Sequence, residues 1–214
     1  MDSTTASSRQ RRKEARPAEL AAALALFVEK GFAATRLDDV AARAGVSKGT
    51  LYLYFDSKEA LFRAVIEESV LPLIDASEAR VVASLDDPAR LLRALLVERW
   101  ECFGATPLGG TCKLMISEGG NFPEVAAYFN EQVIGRWSAL LRQVIEAGIA
   151  RGVFRPGSPE ALRQMVFHPL LMQSVLQHST LAGPPGRPLP EQYFDTYFDF
   201  ILRGLGAADT QEPR

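Results

Sequence analysis

The sequence is short of the residues that build disulfide scaffolds and metal centres. Its 214 residues include two cysteines, Cys102 and Cys112, and two histidines, His168 and His178. So few cysteines exclude a disulfide-dense secreted fold and make a reducing compartment the default. Long hydrophobic runs are also missing. The longest, residues 20–28, covers nine positions, against the roughly 20 that a membrane-spanning helix needs. The basic stretch ahead of that run imitates a signal peptide. However, Glu19 abuts the run, Glu29 and Lys30 end it, and no A-x-A-like cleavage site follows. Arg11-Arg12 is followed by Lys-Glu-Ala rather than by the apolar stretch of a twin-arginine export address. A cytoplasmic protein is expected, with no membrane partner. Catalytic signatures are lacking too: there is no G-x-S-x-G, H-E-x-x-H or phosphate-binding glycine loop. No catalytic residue and no cofactor is expected, and an enzyme would have to be built from a cysteine–histidine pair.

What is present is an average soluble composition, 47% hydrophobic and 23% charged, enough for one large domain or two small ones. The net charge of -2 hides an uneven distribution. Residues 1–63 carry eleven Lys/Arg and eight Asp/Glu, a net of +3, and the remainder carries -5. Arg9, Arg11, Arg12, Lys13 and Arg16 oppose only Glu14 just ahead of the first strongly apolar segment. A small basic head on an acidic body suits a head that meets an acidic partner.

Helical periodicity runs through nearly the whole chain, and strand-like alternation between hairpin turns is absent. An all-α fold of about nine helices is expected. The first runs over residues 17–31, from Pro17 to a Gly31 cap, behind a small polar tail (residues 1–8). Thr35-x-x-Asp38 resembles a capping box opening a second helix over 36–43. Gly45 permits a turn, and Ser47 caps a third helix reaching Tyr54. Ser57 caps a fourth, over 58–82, with a kink at Pro72. Helices over 88–104, 112–118, 123–151, from 159 through Val175, and over 191–205 complete the set, with a proline-rich loop over 183–188.

Residues 37–55, LDDVAARAGVSKGTLYLYF, read as helix, glycine-bearing turn, second helix. Leu37, Val40 and Ala41 share one face, over which Val46, Leu51 and Leu53 can close. Lys48, Thr50, Tyr52 and Tyr54 then point outward. This is the arrangement that lays a recognition helix in the major groove, although it is also an ordinary way to pack two short helices. Lys48 can reach a phosphate or a guanine edge, Thr50 and Tyr52 offer hydroxyls and apolar surface, and Gly49 admits close backbone approach. Ser47 leaves amides at a helix start, where a phosphate is favoured.

Residues 17–63 resemble the N-terminal DNA-binding domain of the TetR/AcrR family of bacterial transcriptional regulators. The resemblance is carried by Ala25-Leu26-Phe27, Lys30-Gly31-Phe32, Thr35, Asp39-Val40-Ala41 and Ala44-Gly45-Val46-Ser47. It continues through Gly49-Thr50-Leu51-Tyr52, Tyr54-Phe55 and Ser57-Lys58-Glu59-Ala60-Leu61. Where many members have Tyr-x-His-Phe, this chain has Tyr52-Leu53-Tyr54-Phe55. The resemblance implies a homodimeric repressor on a palindromic double-stranded operator, released by a small hydrophobic effector. It places phosphate contacts at Thr35, Tyr54 and Lys58 and base reading at Lys48, Gly49, Thr50 and Tyr52. With Arg36 and Ser47 these form the expected DNA-binding set. Residues 9–16 either add DNA contacts or remain a solvated tail.

The expected division is a flexible basic arm (1–16), a DNA-binding domain (17–63), an effector-binding and dimerisation domain (64–206) and a tail (207–214). The apolar stripe Phe194, Tyr197, Phe198, Ile201 and Leu205, with Leu162 and Val166, is either internal core or half of the four-helix dimer interface that the resemblance implies. Trp100, Phe103, Met115, Phe122, Tyr128, Trp137, Phe167, His168 and Met172 are candidates for the effector pocket, or plain core. Such a set favours an apolar ligand over a charged one. The segment 113–124 also resembles the C-terminal halves of efflux-type regulators. A redox- or metal-responsive regulator using Cys102 and Cys112, or His168 and His178, is the alternative. Each pair is spaced by ten residues, which matches no zinc pattern.

Overall fold

The computed structural model describes residues 3–180 and 192–206, the stretch 3–15 by its backbone alone. It is all-α, with helices α1 (Ser3–Lys30), α2 (Leu37–Ala44), α3 (Lys48–Tyr52), α4 (Lys58–Ser69), α5 (Leu71–Ala83) and α6 (Pro88–Arg99). There follow α7 (Gly110–Glu118), α8 (Pro123–Phe129), α9 (Arg136–Ala150), α10 (Pro159–Gln177) and α11 (Tyr193–Leu205). These eleven segments are the nine expected helices with two of them divided. The break expected at Pro72 separates α4 from α5 at Val70, while α8 and α9 are joined by a wide π-helical turn, Asn130–Gly135. A second such turn, Trp100–Gly104, extends α6. Among the described residues there is no sheet, only an isolated bridge between Phe154 and Gly206. The loop expected over 183–188 and the tail over 207–214 lie outside the described residues.

Local chemistry explains most boundaries. Ser47, Ser57, Asp87 and Ser158 each accept a hydrogen bond from the backbone N–H three residues on, opening α3, α4, α6 and α10. Two helix starts near the N-terminus differ from expectation. The first helix starts at Ser3, with Pro17 inside it. Nine of residues 3–16 are good helix formers, and α1 runs on through Pro17 although an interior proline removes one backbone bond and crowds the preceding turn. The capping box at Thr35 does not form. The Thr35 hydroxyl turns back to the Gly31 carbonyl at 2.7 Å, and α2 opens at Arg36 with no side-chain cap.

The N-terminal core is built on Phe27, Phe32 and Phe62, whose ring centroids lie 5.2–5.9 Å apart. Leu26, Val40, Leu51, Phe55 and Leu61 pack around them. This core continues without a gap into the body: Phe32 meets Phe122 at 4.7 Å and Phe62 meets Phe129 at 6.4 Å. In the body, α6 and α9 pack their apolar faces together. Arg136 of α9 clamps Glu78 and Asp75 of α5 at 2.6–2.8 Å, which holds its guanidinium charged.

Candidate nucleic-acid interface

The turn between α2 and α3 is set by Gly45 at φ +70°, a left-handed conformation that costs glycine little. Val46 N–H then returns to Ala41 O at 3.0 Å. Arg43 makes a two-point bond to Glu29 at 2.6 and 2.8 Å, fixing α2 against α1. On this frame Arg36, Ser47, Lys48, Gly49 and Tyr52 are exposed, and Thr50 is half-buried. Ser47 Oγ accepts from Thr50 N–H at 3.0 Å and lies 2.8 Å from Thr50 Oγ1. Lys48 is paired with Asp38 at 2.5 Å, and the hydrogen bond raises the lysine's pKa and lowers the aspartate's. A nucleic acid must therefore take Lys48 from Asp38. That exchange is cheap, because both partners are exposed to water.

Three residues expected on this face lie elsewhere. Thr35 is buried, with its hydroxyl spent on Gly31. Tyr54 turns inward, leaving its hydroxyl enclosed and unpaired among the described residues. The helical turn runs on past Tyr52, with Leu53 N–H bonded to Gly49 O at 3.2 Å and Phe55 N–H to Leu51 O at 3.0 Å. Leu53 lies two residues, about 200°, from buried Leu51 and is 70% exposed instead of closing over α2, while Tyr54 and Phe55 follow Leu51 inward. Lys58 Nζ donates to the carbonyls of Phe32 and Ala33 at 3.0 and 3.1 Å and sits over the rings of Phe32 and Phe122.

Lys58 belongs to a clamp that sequence reasoning missed. Glu118, at the end of α7 in the body, accepts from Phe32 N–H at 3.0 Å and Ala33 N–H at 2.8 Å. The turn ahead of α2 thus has both amides held by the body and both carbonyls held by α4. Gly31 makes room for this, since a Cβ there would lie 2.3 Å from Glu118 Oε1. An acidic residue at a helix C-terminus opposes the helix dipole, and that was the available signal.

The nine pocket candidates do not form one site. Phe103, Trp137 and Phe167 are buried together, with Trp100 turned toward Phe194 at 5.5 Å. Phe122 belongs to the junction with Phe32, and Tyr128 contacts Glu67 and Arg63 near the surface. Met115 is half-buried, while His168 and Met172 are exposed. The group at the centre of the buried aromatics is Arg99, also missed. It lies four residues from Leu95 and seven from Leu92, so helical periodicity alone places it on the buried face of α6.

The expected interface set is likewise internal. Leu162, Val166, Tyr197, Phe198, Ile201 and Leu205 are buried within the single chain, Phe194 is half-buried, and the Tyr197 hydroxyl donates to Val166 O. An apolar stripe shows that a face is covered but not by what, and here the chain covers it itself. The apolar residues left outward on the same two helices are Met165, Met172 and Phe200.

Cys102 is exposed and Cys112 buried. His178 faces Gly104 O at 3.3 Å, and burial lowers its pKa. Among the described residues no group of three or more potential metal ligands comes together, and no helix is long and apolar enough to cross a membrane.

An all-α body behind an exposed helix–turn–helix defines a helix–turn–helix regulatory protein, and comparison with known proteins narrows the class. Residues 20–65 match the model for bacterial regulatory proteins of the tetR family. Residues 82–196 match that for the tetracyclin repressor-like C-terminal domain. The chain belongs to the TetR family, whose business is transcriptional regulation rather than catalysis. It is similar to the HTH-type transcriptional repressor NicS of Pseudomonas putida, 29% identical over 64% of each chain. It thus spans just under two thirds of that relative's length. It is 32% identical to the transcriptional regulator EthR of Mycolicibacterium smegmatis over 66% of this chain and 67% of that one. Among solved structures it resembles the TetR-family regulator PfmR of Thermus thermophilus, with a TM-score of 0.70 and 27% identity, covering 87% of this chain and 98% of that one. Nothing in these comparisons points to a redox or metal sensor.

Proposed function

We propose that the protein is a repressor that binds a palindromic operator as a homodimer and leaves it when a small effector with an apolar body enters its C-terminal part. In this reading residues 17–63 are the DNA-binding domain, preceded by a basic arm, and 64–206 form the effector-binding and dimerisation domain. Lys48, Gly49, Thr50 and Tyr52 meet base edges, and Arg36 with the Ser47 end of α3 meets phosphate. The observation that carries the proposal is the Glu118–Lys58 clamp. It ties the turn ahead of α2 to the body, so a displacement of α7 must be felt by the helix–turn–helix. A single helix over 58–82 would have joined head to body directly. Its division at Val70 leaves α4 with the head and makes α7 the better lever. DNA and effector then prefer different arrangements of one equilibrium, and each weakens the other's binding. The similarity to NicS, a transcriptional repressor, supports the direction of control.

The second copy is expected on the outward faces of α10 and α11, where Met165 and Phe200 are 65% and 75% exposed. Gel-shift titration on the DNA upstream of the gene, repeated across a panel of small molecules, tests the whole reading. One dimer on an inverted repeat, released by a member of the panel, is the expected result. Unchanged DNA affinity with every saturating compound would remove the release step.

A further inference from the structure

Arg99 is 3% exposed, and its Nε, Nη1 and Nη2 are all enclosed without a hydrogen-bond partner among the described residues. Burying an unpaired ion is among the costliest arrangements a fold can hold. Its Cζ lies 4.3 Å from the ring centroid of Phe103, 5.4 Å from that of Phe167 and 5.6 Å from that of Trp137. Ring faces recover part of the lost hydration but accept none of the five N–H groups in the guanidinium plane. The polar side chains that line the cavity beside it do not reach it: Glu98 holds Arg80 at 2.6 and 3.3 Å, and the Ser77 hydroxyl is turned to Leu73 O. The remaining polar neighbour is the Cys112 thiol of α7, a weak acceptor that burial keeps protonated. Between α5 and the π-helical turn that follows Arg99, a cavity bounded by Leu73, Ser77, Cys102, Phe103 and Trp137 leaves about 10 Å³, room for a single water.

We infer that Arg99 is the anion-recognising residue of the effector site, and that the effector is a small monocarboxylate with an aliphatic or aromatic body. The carboxylate takes the two-point bond that a guanidinium is shaped for, and the body lies against Phe103, Trp137 and Phe167. One cation among aromatic rings matches one negative charge, and a phosphate monoester would bring a second with nothing to balance it. The site is closed as it stands, and a carboxylate that takes the Arg99 guanidinium draws it from the Cys112 thiol. Cys112 sits six residues before Glu118 on α7, and parting the two therefore moves the helix that grips the turn before α2. Naming the site an effector site rests on the regulator reading; the recognition chemistry does not.

Ligand binding is tested on the full chain without DNA, with gel shifts on the DNA upstream of the gene run beside it for the same compounds. Tryptophan fluorescence and thermal shift are read against octanoate, decanoate, benzoate and phenylacetate, each paired with the alcohol of the same skeleton. At least one carboxylate is expected to bind about tenfold or more tighter than its alcohol. Arg99→Met is expected to abolish that preference while raising the melting temperature of the free protein. Arg99→Lys, which keeps the charge but loses the fork, is expected to bind the carboxylate several-fold more weakly, and this serves if Arg99→Met fails to fold. Equal binding of acid and alcohol, a preference that survives in Arg99→Met, or no binding by any carboxylate would each overturn the inference. Arg99-dependent binding that leaves DNA affinity untouched would instead sink the regulator reading and spare this one. Release of DNA by the alcohols alone would do the reverse.

Discussion

At the scale of single residues, two buried or paired carboxylates respond to pH in opposite directions. Glu19 of α1 is fully buried and neither oxygen finds a hydrogen-bond partner among the described residues, so desolvation raises its pKa above the ordinary 4.5, with Arg16 offsetting part of the rise. A carboxyl with a raised folded-state pKa takes up a proton on folding. Its contribution is full below the unfolded value and is lost as pH rises through the folded one. Glu160 is the reverse. Arg163 and Gln164 hold its pKa down to about 2, so its contribution is present above 4.5 and is lost as pH falls through about 2. Glu19→Gln, neutral and of the same shape, is therefore expected to stabilise the protein at about pH 7.5 by on the order of 1 kcal/mol. The gain should shrink toward zero near pH 4.5. Urea unfolding of both proteins at the two pH values measures it, and a gain independent of pH would show that folding leaves the Glu19 pKa where it is in the unfolded chain. Neither Glu19 nor Arg99 can be judged from residue type. Position on a helical face was the legible part; the missing partner is a fact of three dimensions.

Elements were far more legible than contacts, for reasons that individual helices make plain. Ser47, Ser57, Asp87 and Ser158 act within three residues of themselves, so the starts of α3, α4, α6 and α10 could be read locally. Thr35 had the same signature, but its hydroxyl found Gly31 O, a local rule that lost to the geometry of the turn beside it. Tyr54 went inward because it lies three residues from buried Leu51 on one helical face. The Glu118 clamp joins residues more than eighty positions apart, and no periodicity reports such a contact. It has a measurable consequence. Glu118→Ala frees the amides of Phe32 and Ala33, and their hydrogen exchange is expected to accelerate without general unfolding. Gly31→Ala breaks the same clamp by a different route. Its φ of +88° costs a side chain about 1–2 kcal/mol, and the new Cβ meets Glu118 Oε1. Fast exchange in both variants, with the larger stability loss in Gly31→Ala, is the expected pattern. Unchanged protection in Glu118→Ala would mean that the body does not hold the turn.

For the whole molecule, the sharpest consequence joins charge distribution to oligomeric state. The +3 head and the -5 body mean that attraction to a polyanion is local to the head, and doubling the head doubles the attraction. In the proposed dimer, two copies meeting through Met165, Met172 and Phe200 would present two helix–turn–helix units to one duplex. Each phosphate neutralised contributes about -0.9 to the slope of log K against log salt. A dimer making about 6–10 such contacts loses roughly 10³–10⁵ in affinity between 50 and 200 mM salt. Phe200→Glu places charge on the outward face of α11 while leaving the inward, buried face of Tyr197, Phe198 and Ile201 intact. It is expected to sediment as a folded monomer and to bind the operator with about half the wild-type salt slope. Sedimentation velocity and gel shifts at several salt concentrations read the two quantities separately. A folded, dimeric Phe200→Glu with an unchanged slope would move the interface to another face. A monomer that keeps the full slope would show that one head makes all the phosphate contacts.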